Sequence, residues 1–304
     1  MYNPKKIILT LGIKIAVDDI QKNKLIVVKH NDLIDAAQLL SVYESRIVLT
    51  CIAQIDSTKP LDASVKFSVS VNDIVDLVGL NGGSAYDDLK KAVERLSERW
   101  IYFLKPSMRV TEAKTRWVSY VGYVPKEGII ELYFTPHIIP LLSDINKNFT
   151  QYKVINVLQF KSIYSFRLYE LICRWGGKTK TIRIEELKQL LEIENKYDRI
   201  DNFKKWIIDE SLSEINKTSN VTANCEYLKR GKRITHLKFD YVIIKKETNS
   251  QNKNNVKKIN KSNDSKSNEK ISNLEHYTNL RKRFGDIVPV PEEIEIEMKE
   301  KGLW

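Results

Sequence analysis

An α+β fold of two tandem winged-helix units, followed by a disordered basic linker and a C-terminal tail, is what the sequence predicts. Three observations predict it. A short amphipathic helix, a polar turn, a longer helix and a β-rich stretch occur in that order twice, roughly 113 residues apart. Each copy closes on two strand-like runs around a turn, which adds a wing to a helix-turn-helix. From Glu247 to about Asn273 apolar residues nearly vanish, so no core can form there. The divisions read as an arm at 1–24, a first unit at 25–145, a second at 146–246, a linker at 247–273 and an extension at 274–304.

In the arm, Lys5-Lys6 before Ile7 to Ile13 superficially resembles a signal peptide. Lys14 interrupts the apolar run and no small-residue cleavage site follows, so a leading strand or loose arm is the reading. No stretch approaches the ~18 apolar residues of a membrane span. A cytoplasmic chain with no membrane partner is expected.

In the first unit, Asn31 is placed to cap a helix on which Leu33, Ala36, Ala37 and Leu40 follow helical spacing. Ser41-Val42-Tyr43-Glu44 reads as a capping box opening a buried helix with Val48, Cys51, Ile52 and Ile55 on one face. Phe67 to Val71 alternates as a strand. Ile74, Leu77 and Val78 then form the apolar face of the short helix, and Leu89, Ala92, Val93 and Leu96 that of the long one. Between them Gly79-Leu80-Asn81-Gly82-Gly83 supplies the positive φ of a tight turn. Ser84, with Asp87 three residues on, caps the long helix. Ile101 to Leu104, Trp117 to Val124 and Ile129 to Phe134 are β-rich, the last two joined through Pro125-Lys126-Glu127-Gly128 as a wing. His137 to Ile145 reads as a short helix, and Asn146-Lys147-Asn148 as the break between units.

The second unit opens on a helix with the stripe Tyr164, Leu168, Leu171, Ile172 and Trp175, with Arg167, Glu170 and Arg174 opposite and Gly176-Gly177 ending it. A strand, Thr179 to Ile184, precedes the second two-helix element. Leu187, Leu190 and Leu191 face inward from its short helix, and Phe203, Trp206 and Ile207 from its long one, with a polar turn at Glu194 to Arg199 between them. The lettering repeats, with Tyr86-Asp87-Asp88-Leu89-Lys90-Lys91-Ala92-Val93 against Ile200-Asp201-Asn202-Phe203-Lys204-Lys205-Trp206-Ile207. Val221 to Leu228 and Ile234 to Ile244 close as a hairpin around Lys229-Arg230-Gly231-Lys232-Arg233, with Leu237, Phe239, Tyr241 and Ile243 at strand period. Glu247 to about Asn273 is Lys, Asn and Ser and reads as disordered. The tail regains helical character at Leu274 to Phe284 and Glu292 to Lys301, either as a tethered partner-binding extension or as a weakly ordered end.

Composition narrows the function. Among 304 residues, 50 basic against 39 acidic side chains give a charge of +11, which favours a polyanionic partner. Cys51, Cys173 and Cys225 are far apart in apolar patterns and read as free thiols of a reducing compartment. His30, His137, His236 and His276 are isolated, so no metal or cofactor is expected. Gly177-Lys178-Thr179 resembles the end of a phosphate-binding loop, but Ile172 stands where its first glycine belongs. No histidine pair accompanies the tyrosines to make one a nucleophile. Catalysis is therefore not expected.

In a helix-turn-helix the start of the second helix points at base edges and phosphates. In the second copy this singles out Lys196, Tyr197, Arg199, Asn202 and Lys205. Arginine pairs bidentately with guanine and asparagine with adenine, which makes Arg199 and Asn202 the candidates for reading sequence. Lys229, Arg230, Lys232 and Arg233 around the hairpin turn are candidates for phosphate or minor-groove contact. In the first copy the analogues are Ser84, Tyr86, Lys90 and Lys91, with Arg109, Lys114 and Arg116 in or beside a loop near the wing. Asp87, Asp88 and Glu94 dilute that face, so the first unit is expected to add affinity more than discrimination.

With these residues placed, the chain resembles the iteron-binding plasmid replication initiators, the Rep proteins of two winged helices. The resemblance rests on Asn31-Asp32-Leu33-Ile34-Asp35-Ala36 running into Leu40-Ser41-Val42-Tyr43-Glu44-Ser45-Arg46-Ile47, on Arg116-Trp117-Val118-Ser119-Tyr120, on Phe134-Thr135-Pro136, and on Ser165-Phe166-Arg167-Leu168-Tyr169-Glu170-Leu171. It covers roughly residues 25 to 246. It implies binding to repeated origin DNA, opening of an adjacent AT-rich stretch, and recruitment of the host initiator and replicative helicase. It further implies a monomer–dimer switch in which dimers repress the chain's own gene, with the first unit dimerising and the second reading sequence. The alternatives are a winged-helix transcriptional repressor without a replication role and, from another class, a DNA-nicking replication enzyme.

Overall fold

The computed structural model describes residues 25–78, 82–104 and 110–244, and near the C-terminus 296 and 298–302, with backbone alone at 77 and 82–85. The arm, the linker and most of the tail lie outside the described residues, as do Gly79-Leu80-Asn81 and Arg109.

β1 (Ile26–His30) pairs antiparallel with β8 (Phe149–Lys153), from Ile26 opposite Lys153 to His30 opposite Phe149. α1 is a single turn, Asn31–Ile34, and its cap is His30, whose Nδ1 accepts from the Asp32 amide at 3.3 Å. The helix expected to continue to Leu40 stops there. Ala37–Gln38 form β2 and pair with Tyr102 and Ile101 of β4 (Trp100–Phe103). Ala36, Ala37 and Leu40 are buried as their spacing implied, but a long-range strand pairing overrides local propensity.

The capping box forms, with the Ser41 amide donating to Glu44 Oε2 at 2.8 Å and the Glu44 amide to Ser41 Oγ at 3.3 Å. It opens α2 (Val42–Ile52), which is buried on every side from Glu44 to Ile52. Ile55 lies beyond its end, half-buried against the core. β3 (Phe67–Ser70) leads into α3 (Val71–Val78), and α4 (Gly82–Leu96) follows. Gly82 and Gly83 are thus helical residues, not turn residues, and Ser84 lies inside α4 rather than at its cap; glycine is tolerated near a helix start. Leu89, Ala92, Val93 and Leu96 face the core.

Two three-stranded sheets complete the first unit. One has the order β2-β4-β5, with β5 at Ala113–Arg116. The other is β3-β7-β6, in which β6 (Val118–Val124) and β7 (Ile129–Phe134) form the wing. Lys114 and Arg116 therefore stand on a strand and not in a loop, because β5 pairs with β4 from Trp100–Arg116 to Phe103–Ala113. A 3-10 turn at Ile139–Leu141 replaces the longer helix expected after Pro136, since Pro140 cannot donate an amide and Asp144 turns to φ 52°.

α5 (Ile163–Trp175) ends on Gly176 and Gly177, at φ 61° and 73°, where a side chain would be strained. β9 (Thr179–Arg183), α6 (Ile184–Leu190), α7 (Ile200–Phe203), a π-helical stretch (Lys204–Asp209) and α8 (Glu210–Thr218) follow. β10 (Val221–Arg230) and β11 (Arg233–Ile243) close the sheet in the order β10-β11-β9. Burial pushes the thiols of Cys173 and Cys225 up to about 12, and that of fully buried Cys51 higher.

Arg167 and Glu170, expected opposite the apolar stripe of α5, are buried, because β1, β8 and the Ile34–Ala36 segment cover that face as well. Glu170 accepts from Lys29 Nζ of β1 at 2.6 Å, from Tyr152 of β8 at 2.5 Å and from Arg167 at 3.0 Å. Arg167 also donates to the carbonyls of Ile34 and Ala36 at 3.1 and 3.0 Å. From the other side Arg46 of α2 donates to the carbonyls of Leu158 and Phe160 at 3.1 and 3.2 Å. Arg174 pairs with Asp35 at 3.0 Å. Burial alone would raise the Glu170 carboxyl, but Lys29 and Arg167 hold it below its ordinary 4.5, and burial pulls the Lys29 ammonium below its own usual value. The Asn31–Ala36 and Ser165–Leu171 stretches of the resemblance thus meet in this seam.

Candidate nucleic-acid interface

The second unit's basic turn is held by a residue the sequence reading passed over. Lys188, in the last turn of α6, donates to the carbonyls of Lys196 and Tyr197 at 2.9 and 3.1 Å. It fixes a turn in which Tyr197 takes φ 57°, and leaves the exposed Lys196 side chain pointing away from the core. A basic residue in the last turn of a helix, before a polar stretch, was the available signal. Tyr197 is half-buried and packs edge-on to Tyr164 at 6.4 Å, so its ring serves the turn.

Arg199 occupies the cap position of α7 and its carbonyl accepts from the amides of Asn202 and Phe203. The side chains of Arg199, Asn202 and Lys205 are exposed. Residues 200–218 run as one recognition helix, but its register differs from the expected one. Phe203 and Ile207 are buried, whereas Trp206 is 47% exposed and Ile208 is fully buried in its stead. The π-helical stretch at Lys204–Asp209 is the reason: its wider turn delays the inward-facing position by about one residue. Lys205 Nζ lies 4.3 Å over the Trp206 ring.

The second wing is docked on this helix. Tyr227 of β10 donates to Asp209 at 2.7 Å and carries Lys204 4.3 Å over its ring, while Asn216 of α8 exchanges hydrogen bonds with Ala223 at 2.9 and 2.7 Å. Burial and the Asp209 carboxylate push the Tyr227 hydroxyl far above its ordinary value, so it remains a donor. The last pairing with β9 is His236 opposite Arg183. Beyond it the hairpin continues through Arg233–Thr235 and Lys229–Arg230, an overshoot of about 10 Å along β11 at strand rise. A bulge at Leu228/Lys229 bends that overshoot, and Gly231 turns it at φ 64°. Lys229, Arg230, Lys232 and Arg233 are all exposed there. Among the described residues no carboxylate pairs with them or with Arg199.

The first unit is built differently. Its wing stops level with β3, where Ser70 faces Ile129, and the Gly128 carbonyl accepts from Val71 at 2.8 Å. The tip carries Lys126 against Glu127, so it has no net charge. Lys90 and Lys91 are exposed on α4 beside exposed Asp87 and Glu94. Tyr86 donates its hydroxyl to Asn72, joining α4 to α3. Lys114 and Arg116 sit 4.6 and 4.4 Å over the Trp100 ring, and Arg116 also bonds the Ser97 carbonyl just past the end of α4. That is the opposite end of α4 from Ser84 and Tyr86, about 18 Å along the axis, so these candidates are not gathered into one site. Arg109 lies outside the described residues, as does any statement about the Ser84 side chain.

Comparison with known proteins agrees with this architecture. The family model described as Initiator Replication protein, WH1, matches residues 26–173, and that described as Initiator Rep protein, WH2, matches residues 183–241, together more than half of the chain. A replication initiation protein of Escherichia coli is 26% identical over 207 residues, 66% of this chain and 64% of that protein, just under two thirds of its length. The PI protein of Escherichia coli is 26% identical over 272 residues, 78% of this chain and 88% of that one. The crystal structure of Pi initiator protein in complex with iteron DNA superposes with a TM-score of 0.64 at 24% identity, covering 74% of this chain and 99% of the other, which shows a shared fold. With both modules matched in order, and the seam motifs and wings in place, the chain belongs to the initiator Rep proteins built of two winged-helix domains.

Proposed function

We propose that this chain is a plasmid replication initiator. It binds repeated origin DNA sequence-specifically, promotes opening of an adjacent AT-rich region and recruits the host initiator and replicative helicase. As a dimer it represses its own gene. It works in the cytoplasm as a binder, with no metal, cofactor or catalytic nucleophile. The observation that carries this reading is the second unit's combination of an exposed Arg199–Asn202–Lys205 helix start with a wing whose overshoot bears four exposed cations. The names of its relatives, a replication initiation protein and an initiator complexed with iteron DNA, point the same way.

The physics follows from two helix-turn-helix elements in one chain. Buried contacts hold the elements between them together, so two recognition helices can enter successive major grooves ~34 Å apart. The second unit reads bases and the first, with its acid-diluted helix, grips the backbone and supplies the dimer face. Several copies side by side store bending and twisting strain, which AT-rich steps relieve at least cost.

The test is transformation of a host with a DNA circle carrying only this gene and its upstream repeats. Autonomous replication, with single-strand-specific chemical reactivity beside occupied repeats, is the expected result. Repression of a reporter without replication would favour the repressor alternative. Relaxation of supercoiled DNA by the purified protein with magnesium would favour the nicking enzyme.

A further inference from the structure

Trp206 occupies the repeat position that Ala92 holds in the first unit. Ala92 is buried on a regular helix, facing the core of its unit. A regular helix in the second unit would press the Trp206 ring into its core in the same way. The π-helical stretch at Lys204–Asp209 instead hands the inward position to Ile207 and Ile208 and turns Trp206 out, 47% exposed. Such stretches are rare and recur at functional sites. A lone exposed aromatic is ordinary on a protein surface, but this one is placed by a local departure from helical geometry.

Its neighbours give the placement a direction. Arg199, Asn202 and Trp206 follow one another at intervals of three and four residues, which aligns them along one outer face of the helix. Asn202 and Trp206 lie about one helical turn apart, within reach of neighbouring base pairs. Lys205 lies over the ring at 4.3 Å and Lys204 is drawn aside onto Tyr227, so a cation flanks the indole where phosphates would pass. An apolar group on a groove-entering face has one base-specific partner available, the 5-methyl group of thymine.

We infer that Trp206 is a specificity-determining residue of the second unit that reads a thymine methyl one or two base pairs from the purines contacted by Arg199 and Asn202. This rests on the proposed DNA-reading role of that unit and deepens it. The π-helical stretch is the device that converts a core position of the repeat into a reading position.

The experiment is selection of bound duplexes from a library with a randomised core, using the full chain, Trp206→Ala and Trp206→Phe. The selected duplex is then rebuilt with deoxyuridine at each thymine in turn. The expected outcome is one thymine whose loss of methyl weakens the full chain about fourfold, the worth of one buried methyl group, and leaves Trp206→Ala unaffected, with Trp206→Phe intermediate. Trp206→Ala should bind a random duplex as the full chain does, which also shows that it folds. Equal weakening on selected and random duplexes would make Trp206 a backbone contact and overturn the inference, as would the absence of any methyl dependence that vanishes with the indole. If the full chain selects no sequence at all, the reading role itself falls, an outcome separate from failure of Trp206 alone.

Discussion

Replacing Glu170 with glutamine removes the buried carboxylate that Lys29 and Arg167 share. Lys29 and Arg167 have side chains only 3% and 5% exposed, and Glu170 is the carboxylate that both contact. In the native cluster two cations face one anion, whereas Glu170→Gln leaves two cations with none, out of reach of water. Removing one partner of a buried pair costs about 3–5 kcal/mol, which for two domains of this combined size lowers the melting temperature by about 10 °C. Thermal and urea unfolding followed by circular dichroism at neutral pH measures it. Adding Lys29→Met to the variant returns the cluster to one net positive charge and should recover a substantial part of the loss. The pH dependence carries a sign. Glu170 is held below 4.5 in the fold, so between its folded value and 4.5 the unfolded chain binds more protons and stability rises with pH. Its contribution is complete above 4.5 and disappears as pH falls through the folded value, so the gap between native chain and variant should close in acid. A melting temperature within about 2 °C of native at neutral pH, or a gap that widens in acid, would refute the reasoning.

Further expectations concern the second unit. Arg230→Ala with Arg233→Ala should weaken binding to every duplex and reduce the slope of log affinity against log salt by about two units, read by fluorescence anisotropy; an unchanged slope means the wing touches no phosphate. Arg199→Ala and Asn202→Ala should each cost about 1–3 kcal/mol on the preferred sequence and little on random DNA, checked by competition. Gly231→Ala, at φ 64°, should destabilise the unit by about 1 kcal/mol by urea titration, with Gly231→Asn costing less because asparagine tolerates that backbone.

What the sequence disclosed was local chemistry. The Ser41–Glu44 capping box, the Gly176-Gly177 helix end and the alternation of Leu237, Phe239 and Tyr241 each depend on residues a few positions apart, and each is present. What it concealed was long-range or register-dependent. Ala37 keeps helical spacing yet pairs with Tyr102 as a strand, and Ala113–Arg116 looks too polar for a strand until β4 provides a partner. Arg167 and Glu170 read as a solvated face because Lys29, 141 residues before Glu170, and the Ile34 and Ala36 carbonyls are invisible in local pattern. Trp206 read as core because a π-helical stretch changes the period that the pattern assumes. At the candidate interface the basic turn and wing were legible as charge. The greater reach of the second wing was not, because it depends on where β9 stops pairing.

Two recognition helices of one chain, joined through a buried seam, are proposed to read a repeated DNA site. Hydroxyl-radical footprinting of the full chain on the DNA upstream of its own gene tests it most directly. Protection is expected at directly repeated sites, on one face of the duplex, at two places about one helical turn apart within each repeat, with the stronger protection where Arg199→Ala removes it. Uniform protection without preferred positions, or a single protected groove per repeat that Arg199→Ala leaves intact, would contradict it.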